Sequence, residues 1–354
     1  MTYRVAIVGA GIGAEHLSAY LQLSSFEVAC ICDLDLARAQ SLAEPHGIKT
    51  VTDMDEVIRD HDIDIVDICL PPHLHVSASL AALDAGKHVI CEKPLATSLA
   101  DAETLAVRSR QTGMNVFPVF QYRFGVGSAQ LAALIESGVA GRCYAGSLET
   151  HWSRGSDYYE VDWRGTWAGE QGGALLGHAI HIHDMVTGFL GPVTRVYAET
   201  ATRVNEIETE DCAALTIRME SGALITSSVT LGAAHDQSRV RLAFEGFTVE
   251  SDHAPYAPAA APWHFLARAP KRQSDIEAVL ATVDAPPTGF EGLFTEIANS
   301  LDGRPNNAVL LEDGLRSVEF VTAAYHSSRS GEAVQLPLGA HHPLSGGWRP
   351  KDVP

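Results

Sequence analysis

This sequence predicts an α/β chain in two parts: an N-terminal doubly wound parallel sheet, then an α+β domain with an open, largely antiparallel sheet. Three observations lead there. A short apolar run, Tyr3-Arg4-Val5-Ala6-Ile7-Val8, passes directly into the glycine turn Gly9-Ala10-Gly11-Ile12-Gly13-Ala14 and a helical stretch through Leu23. Strand-like and helix-like runs then alternate up to Cys91, which implies parallel βα units. Beyond Phe124, successive β-rich runs are joined by short links such as Glu220-Ser221-Gly222, the pattern of antiparallel hairpins.

A chain of 354 residues exceeds one ordinary core, since domains run to about 100–200 residues. The reading places a nucleotide-binding domain at 1–123, a second domain at 124–338 and an irregular tail at 339–354. With 46% apolar and 19% charged residues the composition is that of a folded globular protein. No apolar run approaches the roughly 18 residues of a membrane span, and Met1–Val8 reads as a strand, so a cytoplasmic protein is expected. Twenty-five basic against 44 acidic residues give a net charge of −19, which argues against nucleic acid or an anionic membrane as partner. Six cysteines show no metal or CxxC spacing; Cys30, Cys32, Cys69 and Cys91 fall in or at the ends of strands and read as buried thiols.

In the first domain each glycine has a physical task. Gly9 allows a tight turn, Gly11 lets backbone approach a pyrophosphate, and Ala14 permits close helix-to-strand packing, while Ile12 and Gly13 are expected beside the cofactor with Gly9 and Gly11. The next strand, Phe26–Cys32, ends in Asp33 about 20 residues on, where an acid accepts hydrogen bonds from the adenosine ribose and repels a 2′-phosphate. NAD(H) is therefore expected rather than NADP(H), with Leu34 beside the acid and Arg38 one turn later partly offsetting it. Helices at 37–46 and 53–60, a buried strand at 63–70, a helix at 75–85 and a strand at 88–91 follow. Ligands of such sheets sit at the carboxyl ends of the strands, which puts Leu70-Pro71-Pro72 and Glu92-Lys93-Pro94 on the cofactor side.

At Glu92-Lys93-Pro94 the chain resembles the Gfo/Idh/MocA oxidoreductases, and Pro71, Pro72 and His75 match the family's proline turn with its downstream histidine. Gln121-Tyr122-Arg123-Phe124 is similar to the segment joining the family's domains, and Trp163-Arg164-Gly165 precedes Gly172-Gly173 as the pattern expects. The run from Gly173 to Asp184 resembles the family's glycine pair followed by Asp-x-Gly-x-His-x-x-Asp, which implies that His181 is the catalytic histidine. One departure stands out: Gly177 occupies the aspartate's position and Ala179 that of the motif's glycine, with His178 adjacent to the gap. The resemblance implies NAD as cofactor, contacted also by Gln121, Trp163 and Arg164, and a homodimer or homotetramer assembled through the C-terminal sheet.

The chemistry follows from these side chains. Removing a hydroxyl proton while hydride leaves the same carbon suits an imidazole whose ordinary pKa is about 6.5. His181 is expected to exchange that proton and Lys93 to orient the reacting oxygen. His178, His181 and Asp184 could together be read as zinc ligands, but no metal is expected, because nicotinamide with an acid/base pair already supplies the chemistry. His183 is expected to point elsewhere, and His341 and His342 to face solvent.

The second domain is read as a helix at 128–137, a strand at 142–151, the histidine-rich helix through 190, and strands near 193–202, 211–220, 223–230 and 240–245. His151, Trp152, Arg154, Tyr158, Tyr159, Asp162 and Trp163 make an aromatic and polar set suited to a sugar or polyol ring, and the expected substrate contacts are Lys93, Arg123, His151, Tyr158, Trp163, His178 and His181. Residues 254–287 read as a long irregular insertion and 311–329 as a helix. The leading expectation is an NAD-dependent dehydrogenase or reductase of sugars, cyclitols or polyols. Redox-assisted glycoside cleavage and a non-catalytic dinucleotide sensor stay open beside it.

Overall fold

Val5, Ala6, Ile7 and Val8 are almost wholly buried, and this unbroken apolar run makes β1 (Tyr3–Val8) a central strand covered on both faces, as parallel sheets require. In a computed structural model, which describes residues 1–269, 272–339 and 341–350, β1 is followed by α1 (Gly13–Tyr20), β2 (Phe26–Cys32), α2 (Leu36–Ala43), β3 (Lys49–Val51), α3 (Met54–Arg59), β4 (Ile65–Ile68), α4 (His75–Asp84), β5 (His88–Cys91), α5 (Leu99–Thr112) and β6 (Val116–Pro118). The six strands pair in parallel in the order β3-β2-β1-β4-β5-β6, so the winding direction reverses between β1 and β4. Local signals fix the helix ends. Asp35 caps α2 by accepting from Arg38 N–H at 3.1 Å, Ser98 caps α5 by accepting from Asp101 N–H at 3.0 Å, and Gly113 ends α5 at φ 72°. The sequence reading passed over α5 and β6.

The glycine turn is tighter than expected in one respect. A Cβ on Gly9, at φ +108°, would lie 2.3 Å from the Cys69 carbonyl oxygen, and one on Gly13 would lie 2.7 Å from Ile7 Cγ2. Close helix-to-strand packing therefore falls to Gly13, not Ala14. Cys30, Cys32, Cys69 and Cys91 are buried free thiols, as their strand positions imply.

The chain divides into two compact units, Met1–Val119 with Phe290–Val318, and Phe120–Gly289 with Glu319–Pro354. Two departures from the expected 123/124 boundary result. The division comes before Phe120, and 290–318 returns to the first unit because Phe290 and Phe294, in the helix Gly289–Leu301, pack on His16 at 4.6 and 5.3 Å, with Phe294 stacked on Tyr20 at 4.1 Å.

The second unit contains α6 (Val126–Glu136), β7 (Cys143–Ser153), a π turn (Leu175–Ala179) continuing into α7 (Ile180–Leu190), β8 (Val193–Ala201), β9 (Cys212–Met219), β10 (Leu224–Thr230), β11 (Gly232–Phe244), β12 (Phe247–Glu250), β13 (His264–Ala267), α8 (Gln273–Leu280) and β14 (Val334–Gln335); α9 spans Gly289–Leu301, and α10 (Leu311–Ser330) contains the division. Its sheet runs β13-β12-β11-β7-β10-β9-β8-β14 and is antiparallel except at β7–β10. Inward residues alternate along β9 (Ala213, Leu215, Ile217, Met219) and β10 (Ile225, Ser227, Val229), leaving one face covered and one exposed. The stretch 254–287 is not wholly irregular, since it contributes β13 and α8. In the tail, where Ala340 and 351–354 lie outside the described residues, Trp348 is buried against Tyr325 and its indole N–H donates to Gln171 O. Among the described residues no helix is long and apolar enough to cross a membrane.

Candidate active site

At the carboxyl ends of β1 and β2 the first unit brings together Gly9, Gly11, Ile12, Gly13, Asp33, Leu34 and Arg38. Asp33 Oδ2 accepts from Ala10 N–H at 2.7 Å, and Oδ1 accepts from Asp35 N–H at 2.8 Å and Arg38 Nη2 at 2.9 Å. Burial works against ionisation, but these donors outweigh it and hold the carboxyl below its ordinary value. Leu34 is 92% exposed beside it, and a Cβ on Gly11 would meet no atom within 4 Å, so the turn is open where backbone must be approached.

The turns after β4 and β5 are held by a buried polar network. Leu70, Pro71 and Pro72 are half-buried after β4 and Lys93 after β5. His75, however, is 1% exposed, with Nδ1 2.7 Å from Pro94 O and Nε2 2.7 Å from Leu70 O. It lies between carbonyls of the two turns; burial pushes its pKa down, against the pull of those carbonyls toward the charged ring.

Glu92 likewise turns inward, away from the cofactor role assigned to it. Its Oε1 is 3.2 Å from His16 Nε2 and its Oε2 accepts from Lys93 N–H at 3.0 Å. His16 Nδ1 is 2.8 Å from Asp67 Oδ2, which also accepts from Tyr20 Oη at 3.0 Å. Burial opposes a charge on His16, yet neighbouring Asp67 holds its pKa well above the ordinary value, so an imidazolium sits between two carboxylates. Sequence reasoning missed His16 and Asp67. Asp67, the one acid in the apolar run of β4, was the available signal.

Among the described residues His16, Asp67 and Cys69 are also the one cluster with the composition of a metal site. Their atoms are already engaged with one another, and burial pushes the Cys69 thiol up to about 12, so it keeps its proton.

In the second unit the histidine-rich segment begins with the π turn, which changes the face geometry an uninterrupted α-helix would give. His181 is buried, stacked on Tyr122 with centroids 4.5 Å apart and set edge-on to Phe120 at 6.0 Å. His178 is buried edge-on to Trp152 at 5.1 Å, with its Nε2 3.4 Å from Tyr158 Oη. Arg164 covers the Tyr158 ring at 3.9 Å and donates to Tyr158 O at 3.2 Å, while half-buried Trp163 lies 5.3 Å from the same guanidinium. Gln121 opens the 3-10 turn that carries Tyr122, and its Oε1 is buried with no hydrogen-bond partner among the described residues.

Three expectations for this unit change. Arg123 makes a two-point ion pair with Asp184 instead of facing a substrate. That also takes Asp184 out of any zinc set with the histidines. His151 lies on the face of β7 opposite Trp152, because strand side chains alternate, and it meets Ser228 at 3.0 Å, away from the histidine helix. His342 does not simply face solvent, since its Nε2 is 2.6 Å from His326 Nδ1. His183 points elsewhere as expected, toward Ser227 at 2.8 Å, and burial lowers it to about 3.

The cluster also gains Tyr256, which packs on Trp152 at 4.9 Å and accepts from Arg154 at 3.0 Å. The Pro/Ala-rich stretch that carries it gave no sign of this.

Comparison with known proteins bears on the whole arrangement. Residues 3–120 match the model of the oxidoreductase family with an NAD-binding Rossmann fold, and 128–250 match the GFO/IDH/MocA C-terminal domain. The chain is 33% identical over 191 residues to D-glucoside 3-dehydrogenase of Escherichia coli, covering 53% of this chain and 54% of that protein. It is 35% identical over 147 residues to inositol 2-dehydrogenase of Salmonella typhimurium, covering 40% and 44%. The chain thus spans about half the length of these curated relatives. The WlbA dehydrogenase of Chromobacterium violaceum, solved with NADH and UDP-GlcNAcA, superposes with TM-score 0.83 at 27% identity, covering 96% of this chain and 97% of that one.

Proposed function

The chain belongs to the Gfo/Idh/MocA oxidoreductase family, and from that membership we propose that it is an NAD-dependent dehydrogenase or reductase of a sugar, cyclitol or related polyol. The observation that carries the reading is Asp33, a carboxylate held ionised at the end of β2 beside the open glycine turn. Gly11 leaves room for a pyrophosphate at the N-terminus of α1, where helix N–H groups favour anions. Asp33 suits ribose hydroxyls and repels a 2′-phosphate, and exposed Leu34 offers an apolar face beside it. Gln121 contributes a buried acceptor oxygen. When bound, the nicotinamide supplies the hydride acceptor or donor.

Lys93 holds the reacting oxygen and stabilises charge developing on it. Its backbone N–H is fixed by Glu92, Glu92 meets His16, and His16 in turn meets Asp67, so the lysine is carried on a rigid turn. His181 takes the hydroxyl proton in oxidation and returns it in reduction, with Tyr122 and Phe120 setting the ring's orientation. Names of the relatives, glucoside and inositol dehydrogenases among them, support a polyhydroxylated substrate.

The test is turnover of NAD or NADP with a broad panel of sugars and cyclitols, and of NADH with their keto forms. We expect reduction of NAD with at least one member, and a loss of about 10²–10⁴-fold in kcat in Lys93→Ala and His181→Ala with NADH binding retained. Failure of every pair in both directions would sink the reading.

A further inference from the structure

Glu170 is a buried acid that the proposed mechanism does not use, 6% exposed in the loop before the π turn. Its Oε2 accepts from Gly165 N–H at 2.6 Å, which anchors one oxygen of the carboxylate. Its Oε1 reaches the helix, where a Cβ on Gly177 would stand 3.4 Å away. Gly177 does not have a positive φ, so the backbone there makes no demand for glycine; the missing side chain leaves space that the Glu170 oxygen borders.

Gly165 N–H is one donor to the buried acid, and the neighbouring Tyr158 is flanked by cations. A carboxylate out of water needs donors or positive charge close by. Around Tyr158 stand two guanidinium groups, Arg164 at 3.9 Å from the ring and Arg154 at 5.2 Å. Tyr158 Oη in turn lies 3.4 Å from His178 Nε2. Burial raises the pKa of both Tyr158 and Tyr159, and the negative charge of Glu170 adds to that in each case. The carboxylate's field therefore reaches the ring that touches His178. From the other elements, Trp152 packs on His178, Tyr122 and Phe120 pack on His181, and Tyr325 also senses Glu170.

We propose that Glu170 is the positioning carboxylate of the histidine helix, occupying the space beside Gly177 and favouring the protonated imidazole of the His178 and His181 pair during proton exchange. The assignment rests on the oxidoreductase reading for its purpose, though not for its geometry. An acid from a separate loop thus supplies the charge that the helix itself lacks at position 177.

The experiment is an NMR titration of the histidine rings in the full chain, comparing the wild type, Glu170→Gln and Glu170→Gln/Gly177→Asp, with the pH profile of kcat/KM recorded alongside. Glu170→Gln should lower the midpoint of His178 or His181 by about one pH unit, and the double variant should restore at least half of that shift. Midpoints in Glu170→Gln within roughly 0.2 unit of the wild type would overturn the proposal. Should that variant not fold, Glu170→Asp, which withdraws the charge by one methylene, is read instead; a smaller downward shift supports the proposal and coincidence with the wild type overturns it. A shift without turnover on any sugar would keep Glu170 and sink the oxidoreductase reading, whereas turnover without a shift would do the reverse.

Discussion

Arg123 grips Asp184 at two points, Nε to Oδ2 at 2.7 Å and Nη2 to Oδ1 at 2.6 Å, and so ties the 121–123 turn to α7. The tether matters because Tyr122, the neighbour of Arg123, is the ring on which His181 stacks. Asp184 is 2% exposed in its side chain and Arg123 17%, so the pair is largely out of water. Arg123→Ala should destabilise the protein by about 3–5 kcal/mol, because the buried carboxylate loses its guanidinium. Arg123→Met/Asp184→Leu should recover most of that loss, since neither charge then remains. Urea unfolding of the three chains checks this; equal midpoints for the single variant and the wild type would show that the fork contributes nothing.

Asp33 is expected to set cofactor choice through charge. In Asp33→Ser the carboxylate disappears and Arg38, now bonded to it at 2.9 Å, is released at the position where a 2′-phosphate would lie. Affinity for NAD should fall about tenfold, equivalent to about 1.4 kcal/mol, while affinity for NADP rises. Calorimetric titration with both nucleotides decides it, and an unchanged ratio of the two dissociation constants contradicts the assignment.

The parts of this site that could be read in the sequence are those encoded by neighbours in the chain. The strand-turn-helix at residues 3–20 and the acid at 33 obey local rules of sterics and hydrogen bonding, and the structure keeps them together. Pairings over long separations left no such trace. Alternation along β10 tells which residues face inward, but not that β7 is its parallel neighbour. The apolar stripe of α9 gives no address, and only the packing of Phe290 and Phe294 on His16 assigns it to the first unit. Glu92 and His75 carried the right motif and the wrong orientation, because a motif names residues and not the direction of their side chains. Glu170 was invisible for the same reason: the loop around it has no periodicity, and its relation to Gly177 exists only in space.

Glu210 should give the stability of the protein an unusual pH dependence. It accepts from Gly173 N–H, Leu175 N–H and Tyr325 Oη, yet full burial outweighs these donors and raises its pKa from 4.5 to about 7. Between these values the unfolded chain releases its proton while the folded one keeps it, so stability falls as pH rises. The contribution is fully present below about 4.5 and lost once pH passes about 7, on the order of 3 kcal/mol in all. Glu210→Gln should flatten this part of the profile. Thermal melts from pH 4.5 to 8 would measure it, and identical slopes in the two chains would remove Glu210 as the source.

Gly11 and Gly13 stand two residues apart in one turn, and the structure separates their roles. A Cβ at Gly13 would come 2.7 Å from Ile7 Cγ2, in the wholly buried seam between β1 and α1. Real Cβ contacts of that length do not persist, so helix and strand must shift, and overpacking of this kind costs about 1–3 kcal/mol. A Cβ at Gly11 meets nothing within 4 Å, and neither residue has a positive φ that would strain alanine. Gly11→Ala should therefore leave the unfolding midpoint within about 0.5 kcal/mol of the wild type but weaken NADH binding, because the added methyl occupies the approach to the pyrophosphate. Gly13→Ala should lower stability first, with binding lost only as a consequence. Paired measurements of urea midpoint and NADH affinity discriminate the two. A Gly11→Ala chain that binds NADH as the wild type does would mean that the dinucleotide does not approach the backbone at this turn.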